Sequence, residues 1–259
     1  MNKKLFELFY VFKQNLKLQK LQVNINKVFN KFISLPNFIQ NKKNIEWIKN
    51  EYISIEEYAK KIDEVIWSET LAYFNNFEKK SKEIMRRIDF KLGGGGAYHL
   101  LYFLTRKYSL SNIIETGVAS GFTSAAILEA LRKNKNGLLF SSDYPYPKIP
   151  NCEKYIGILV NEELRKNWLL HIEGDEFNLN KIPINWVGKV DLFHYDSSKW
   201  FRDKKRTLKI ISKYLSKNAF IVFDDIQDDL FFYYLVNKTK YSYFQILKFK
   251  NKYLGIIKL

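Results

Sequence analysis

The chain has 259 residues, enough to bury a full core in one sizeable domain with a small appendage. Hydrophobic residues make up 46% and aromatics 17%, which excludes a disordered chain, and the lone Cys152 excludes an internal disulfide or a thiolate metal cluster. The net charge is +16, yet no basic block stands out as a nucleic-acid arm; the joint abundance of Lys, Asn, Ile, Phe and Tyr fits an AT-rich genome, and a nucleic-acid partner is not expected.

Lys3 and Lys4 precede an apolar stretch, but Glu7 and Lys13 break it, so no secretory signal is expected and the cytoplasm is the natural location. The apolar runs, such as residues 219–223, are far too short to span a bilayer. Residues 1–90 read as a helical extension or cap. Leu5, Leu8, Phe9, Phe12 and Leu16 recur at helical spacing, and Pro36 with residues 40–44 punctuates the region. Ser54 and Glu57 have the spacing of a capping box, which starts a helix running with interruptions towards Arg87. This region is read as a cap or an arm for homo-oligomerisation, with a basic amphipathic helix in peripheral membrane contact as the alternative.

Gly93–Gly96 follows. Four successive glycines are costly in conformational entropy, so the run is expected to pass close to a bound ligand, with a flexible joint as the alternative. From Asn112 onward, short apolar runs alternate with helix-like segments. The runs are 112–116, 137–143, 168–173, 190–196 and 218–224, the pattern of a parallel sheet covered by helices and wound in both directions. A helix over 227–237 leads to strands at 242–248 and 253–259, an antiparallel C-terminal hairpin.

In such sheets the ligand sits outside the carboxyl ends of the strands. Those ends carry Glu115, Asp143, Asp175, Asp196 and the pair Asp224–Asp225, a series pointing at one edge. Glu115-Thr-Gly-Val-Ala-Ser-Gly121 follows the first strand. Gly117 permits a sharp turn, Gly121 a close approach of the next helix, and Thr123 and Ser124 fall in that helix's first turn. Asp143 is placed to accept hydrogen bonds from ribose hydroxyls, as in dinucleotide enzymes, but the G-x-G-x-x-G fingerprint is absent because position 119 is Ala.

The segment Glu115–Gly121 resembles motif I of the class I S-adenosylmethionine-dependent methyltransferases, Asp143 resembles their ribose-binding acid, and Gly174-Asp175 resembles their adenine-contacting segment. The resemblance covers residues 92–259. It implies an α/β fold with a doubly wound, mostly parallel seven-stranded sheet (Rossmann-like), and a cofactor-binding catalytic domain over 91–259. S-adenosylmethionine would be held by Glu115, Thr116, Gly117, Ser120, Gly121, Asp143 and Asp175. Gly93–Gly96, the following Ala-Tyr-His-Leu-Leu-Tyr-Phe-Leu and Glu115-Thr-Gly further resemble a bacterial branch that modifies sugars and natural products, which implies a small-molecule acceptor methylated on oxygen. That branch ends its fourth strand in Asp-Ser followed by His, whereas Asp196-Ser-Ser-Lys199 has Lys. Lys199 instead resembles the metal-dependent catechol-type O-methyltransferases. Asp196, Asp224 and Asp225 are therefore candidate Mg²⁺ ligands, with Lys199 as the alternative neutraliser of the three acids. Asp196, His194 and Lys199 are the catalytic candidates. His99 and His171 are expected to pack, and Tyr144 and Tyr146 to cover the adenine or the core. The alternatives are a different enzyme on the same scaffold, such as a hydroxylase, and a basic binding module for nucleic acid or membrane.

Overall fold

The computed structural model describes residues 38–146, 149, 151–239, 241 and 243–259; the expected helix through Leu5–Leu16 lies outside them. Helix α1 (Phe38–Glu51) runs into a short strand β1 (Tyr52–Ser54) and then the long helix α2 (Ile55–Met85). Ser54 holds an extended backbone and its hydroxyl accepts from the Glu57 amide at 3.0 Å, which satisfies one of the free donors that begin a helix. The interruption of α2 falls at Asp63, whose φ of −163° and ψ of 100° leave the helical region. Its carboxylate accepts from the Ile66 amide at 3.0 Å and pairs with Lys107 at 2.8 Å, so Asp63 caps the second half of the helix. Trp67 and Phe74 of α2 then pack against α3 (Tyr98–Lys107), with Trp67 edge-on to Phe103 at 6.3 Å. Each fully buried side chain of this kind contributes about 1.5–3 kcal/mol, so α2 shares its core with the sheet it covers.

The remaining elements alternate: β2 (Asn112–Thr116), α4 (Phe122–Asn134), β3 (Leu138–Ser142), β4 (Trp168–His171), α5 (Asp175–Asn178), β5 (Val190–Tyr195), α6 (Phe201–Ile211), β6 (Leu215–Phe223), α7 (Phe231–Lys238), β7 (Tyr243–Phe249) and β8 (Lys252–Lys258). The strands form one sheet in the order β1-β7-β8-β6-β5-β2-β3-β4. All neighbours are parallel except β8, which runs antiparallel to both β6 and β7. The sheet thus has eight strands where seven were expected. The eighth is β1, which sits between two helices in the region read as wholly helical and pairs Tyr52 with Ile246 and Ser54 with Lys248. Apolar layers cover both faces: α2, α3 and α4 on one, α1, α6 and α7 on the other. Such two-sided burial explains the apolar run 219–223 that ends β6. Chain direction across the sheet reverses between β2 and β5, which opens a crevice at their carboxyl ends. Among the described residues no helix is long and apolar enough to cross a membrane.

Candidate functional site

A cleft of about 670 Å³ lies at that crevice, within the 300–1,000 Å³ that small-molecule sites usually occupy. Its first wall is the loop after β2. Gly117 has φ 87°, and a Cβ there would lie 2.0 Å from the Asp196 carbonyl oxygen, so only glycine lets the loop pass the end of β5. Gly121 has φ 92° and begins α4; its Cβ would meet the Gly157 Cα at 2.8 Å. Asp143, beyond the end of β3, ties this loop down. Its Oδ2 accepts from the amides of Val118 (3.1 Å) and Ala119 (2.7 Å), and its Oδ1 from the amide of Tyr144 (2.6 Å). Burial pushes the Asp143 carboxyl up to about 6, against the three amides that favour its charge, and Asp175 adds to the rise. Asp175 accepts from the hydroxyls of Ser142 (2.5 Å) and Ser197 (2.7 Å), which joins the turn after β4 to the ends of β3 and β5. Tyr144 and Tyr146 also line the cleft.

The expected cofactor residues divide into two groups. Gly117, Asp143 and Asp175 line the cleft. Glu115, Thr116, Ser120 and Gly121 do not; the first three are fully buried behind it. Glu115 accepts from Ser124 Oγ (2.6 Å) and Ser141 Oγ (2.8 Å), and Ser120 Oγ donates to the Gly93 carbonyl (2.7 Å). The catalytic candidate His194 is also outside the cleft. It is fully buried on β5 with Nδ1 3.7 Å from Glu115 Oε1. Burial works to lower its pKa, but the charge of Glu115, aided by Asp196 and Asp224, raises it above the ordinary value. His99 packs among Trp67, Phe74 and Tyr98, where burial pushes it down to about 4. His171 lies on the edge strand beside Phe140.

Asp196 and Lys199 do reach the cleft, where a carboxylate cluster is threaded by two lysines. The Lys199 ammonium donates to Asp196 Oδ1 at 2.9 Å and to Asp225 Oδ2. Lys252, at the start of β8, lies 3.1 Å from Asp225 Oδ1 and 3.7 Å from Asp224 Oδ2. Burial would lower the Lys199 pKa, but the charges of Asp196 and Asp225 raise it well above that of an ordinary lysine. Asp225 is shifted down, since Lys199 and Lys252 outweigh its burial. Asp224 is 1% exposed and is pushed up to about 7 by burial and by the charges of Asp196 and Asp225. Lys199 and Lys252 thus set two ammonium groups against the acids, and burial beside Asp196 and Asp225 favours the protonated form of Asp224. This arrangement does not fit the expected Mg²⁺: the oxygens of Asp196 and Asp225 that would bind it are already ion-paired. Among the described residues no group of three or more His, Cys, Asp or Glu side chains is placed to hold a metal. Lys199, the alternative neutraliser of the acids, makes ion pairs with Asp196 and Asp225.

The opposite wall comes from the segment after β5, where an acceptor-recognising region is expected from the sequence but no residue was singled out. Asp203, Arg206 and Thr207 of α6 line the cleft at helical i, i+3, i+4 spacing, with Trp200 just before the helix. Arg206 pairs with Glu176 at 2.9 Å. The fully buried Lys204 pairs with Asp229 at 3.1 Å and fixes α6 to the loop after β6, which Asn44 of α1 also holds through the carbonyls of Ile226 (3.0 Å) and Asp229 (2.8 Å). A polar i, i+3, i+4 stripe opposite the apolar positions of residues 201–211 was the available signal. For Lys252 there was none, because its place depends on β8 inserting between β6 and β7.

Residues 114–226 match the family model of a methyltransferase domain. No curated relative matches the sequence. The fold is similar to that of an O-methyltransferase from Bacillus cereus solved with S-adenosylhomocysteine, at 11% identity, covering 82% of this chain and 100% of that one with a TM-score of 0.52. A methyltransferase from Geobacter sulfurreducens is similar at 15% identity, 74% and 96% coverage, TM-score 0.50. An O-methyltransferase of tomaymycin synthesis from Streptomyces achromogenes, solved with S-adenosylmethionine, is similar at 12% identity, 87% and 99% coverage, TM-score 0.50.

Proposed function

We propose that this methyltransferase binds S-adenosylmethionine in the cleft between β2, β3 and β5 and methylates a hydroxyl oxygen of a small, hydroxyl-rich acceptor of the sugar or natural-product kind. The observation that carries the reading is the juxtaposition of Gly117–Ala119 and Asp143 on one wall, at the switch in chain direction of a methyltransferase domain. The residues suit the cofactor. Gly117 leaves backbone where a side chain would intrude, and an ionised carboxylate has about four lone-pair sites, of which Asp143 uses three on amides, leaving one for a ribose hydroxyl.

When bound, S-adenosylmethionine supplies an activated methyl group, whose C–S bond breaks towards sulfur as the acceptor oxygen forms the new C–O bond. The chain's part is to align the two partners and to take the hydroxyl proton. Asp196 takes that proton in this reading, since it lines the cleft at the end of β5 beside Gly117. Lys199 remains a cation and stabilises the Asp196 carboxylate. His194 lies behind this wall, 3.7 Å from Glu115 and outside the cleft. The polar stripe Asp203–Arg206–Thr207 and Trp200 supply the hydrogen bonds and the flat apolar surface that a hydroxyl-bearing ring requires. Incubation with a methyl-labelled donor and a panel of sugars and phenols tests the reading. Label in an O-methyl product supports it; cofactor binding with no label in any product would turn the case towards a different chemistry on the same scaffold.

A further inference from the structure

The four glycines of the run before α3 are not equivalent. Gly96 lies under Asp224, and a Cβ there would fall 1.4 Å from the Asp224 Oδ2. Gly95 has φ 72°, and its Cβ would fall 2.4 Å from that of Phe122. Gly93 would press on Ala119 at 3.0 Å. Those three positions answer to the folded chain itself. Gly94 does not. Its backbone lies outside the left-handed region, a Cβ would meet no atom within 4 Å, and yet the residue lines the cleft.

Flexibility is a poor explanation for a glycine so placed, because the chain is pinned on both sides of it. Leu92 is buried, and the Gly93 carbonyl accepts from Ser120 Oγ at 2.7 Å. On the other side the Gly96 carbonyl accepts from the Tyr98 amide at 2.5 Å and Ala97 is fully buried. A joint would need slack, and the strap has fixed points one residue before Gly94 and two after it.

We infer that Gly94 is a steric gauge for the cofactor: its bare backbone forms part of the surface against which the bound nucleoside amino acid rests, and a side chain there would take up the ligand's space. This rests on the reading of the cleft as the S-adenosylmethionine site. It differs from the demands on Gly95 and Gly96, which come from Phe122 and Asp224, and it assigns the open position to the ligand.

The experiment compares wild type, Gly94→Ala, Gly94→Val and Gly96→Ala by calorimetric titration with S-adenosylhomocysteine and by Tm without ligand. Gly96→Ala should lose stability outright. Gly94→Ala should keep or slightly raise Tm, because the unfolded chain loses freedom while the native position is unobstructed. Gly94→Val should melt within about 3 °C of wild type yet bind S-adenosylhomocysteine at least about tenfold more weakly, with Gly94→Ala in between. Wild-type affinity in a folded Gly94→Val chain overturns the inference. So does a fall in its Tm comparable to that of Gly96→Ala, because the position would then answer to the fold. A wild type that binds no S-adenosylhomocysteine overturns the cofactor reading instead.

Discussion

Replacing Asp143 separates what this acid does for the fold from what it does for the ligand. The carboxylate has three amide donors, from Val118, Ala119 and Tyr144, and one lone-pair site to spare for a ribose hydroxyl. Losing one charge-assisted hydrogen bond of that kind costs about 1.5–3 kcal/mol, so Asp143→Ala should weaken S-adenosylhomocysteine binding by roughly 10- to 150-fold. The pH dependence is a second readout. In the folded chain the Asp143 pKa stands near 6, above the 3.8 of an unperturbed aspartate, so the native state favours the protonated form. Its contribution to stability is therefore fully present below 3.8 and is lost as pH rises through about 6, amounting to on the order of 3 kcal/mol. Ligand affinity should run the other way, since only the ionised acid is a full acceptor: it should climb as pH rises through about 6 and then level off. Asp143→Asn should flatten that rise. Calorimetric titrations between pH 5 and 8 measure all of this. Wild-type affinity in Asp143→Ala, or a wild-type affinity with no slope across that range, would refute the assignment.

Further outcomes follow from the same geometry. If methyl transfer needs no metal, activity should survive exhaustive chelation by EDTA, and a loss of activity restored by Mg²⁺ would show that Lys199 and Lys252 are displaced in the working enzyme. Gly117→Val should abolish S-adenosylhomocysteine binding and lower Tm, because its first side-chain carbon already lies 2.0 Å from the Asp196 carbonyl. Lys204→Ala leaves Asp229 without its buried counter-ion and should cost about 3–5 kcal/mol in denaturant unfolding, with a value under about 1 kcal/mol contradicting the burial argument. His99, with its folded pKa lowered to about 4 from 6.5, resists protonation, so the unfolded chain binds the extra proton first; stability should fall by on the order of 3 kcal/mol as pH drops from 6.5 to 4, and His99→Gln should remove most of that slope.

The succession of strands along the chain and the mostly parallel sheet with its antiparallel C-terminal hairpin were legible because they follow from local chemistry. Apolar runs ending in an acid, each followed by a helical segment, leave few foldings of the chain, and Gly117 and Gly121 mark a turn that few other residues could make. The strand β1 was illegible for the same reason in reverse. Three residues between two helices carry no period, and Tyr52–Ser54 becomes a strand only because β7 offers an edge to pair with. Residue type at a strand end proved a weaker guide to exposure. Glu115 and Asp143 end adjacent strands in sequence-equivalent fashion, yet Asp143 lines the cleft while Glu115 turns inward to Ser124, Ser141 and His194. The sheet's alternation decides this: Glu115 is still within β2, so its side chain belongs to one face, whereas Asp143 lies one residue beyond β3, where the backbone is free to direct it towards the loop.

The carboxylate cluster turns on the same distinction between a motif and its surroundings. Asp196, Asp224 and Asp225 in sequence look like a metal site, because three acids converging on neighbouring strand ends must be neutralised. What neutralises them is a property of topology. The antiparallel strand β8 lies against β6, so its first residue, Lys252, arrives beside the acids that follow β6, while Lys199 reaches them from the segment after β5. Two ammonium groups from distant points in the chain thus reach the same three acids. Asp225, held at φ 53° in the left-handed region, is the hub of both contacts. A non-glycine residue in that conformation carries a cost of about 1–3 kcal/mol, and it falls at the point where the segments after β5 and β6 meet the start of β8.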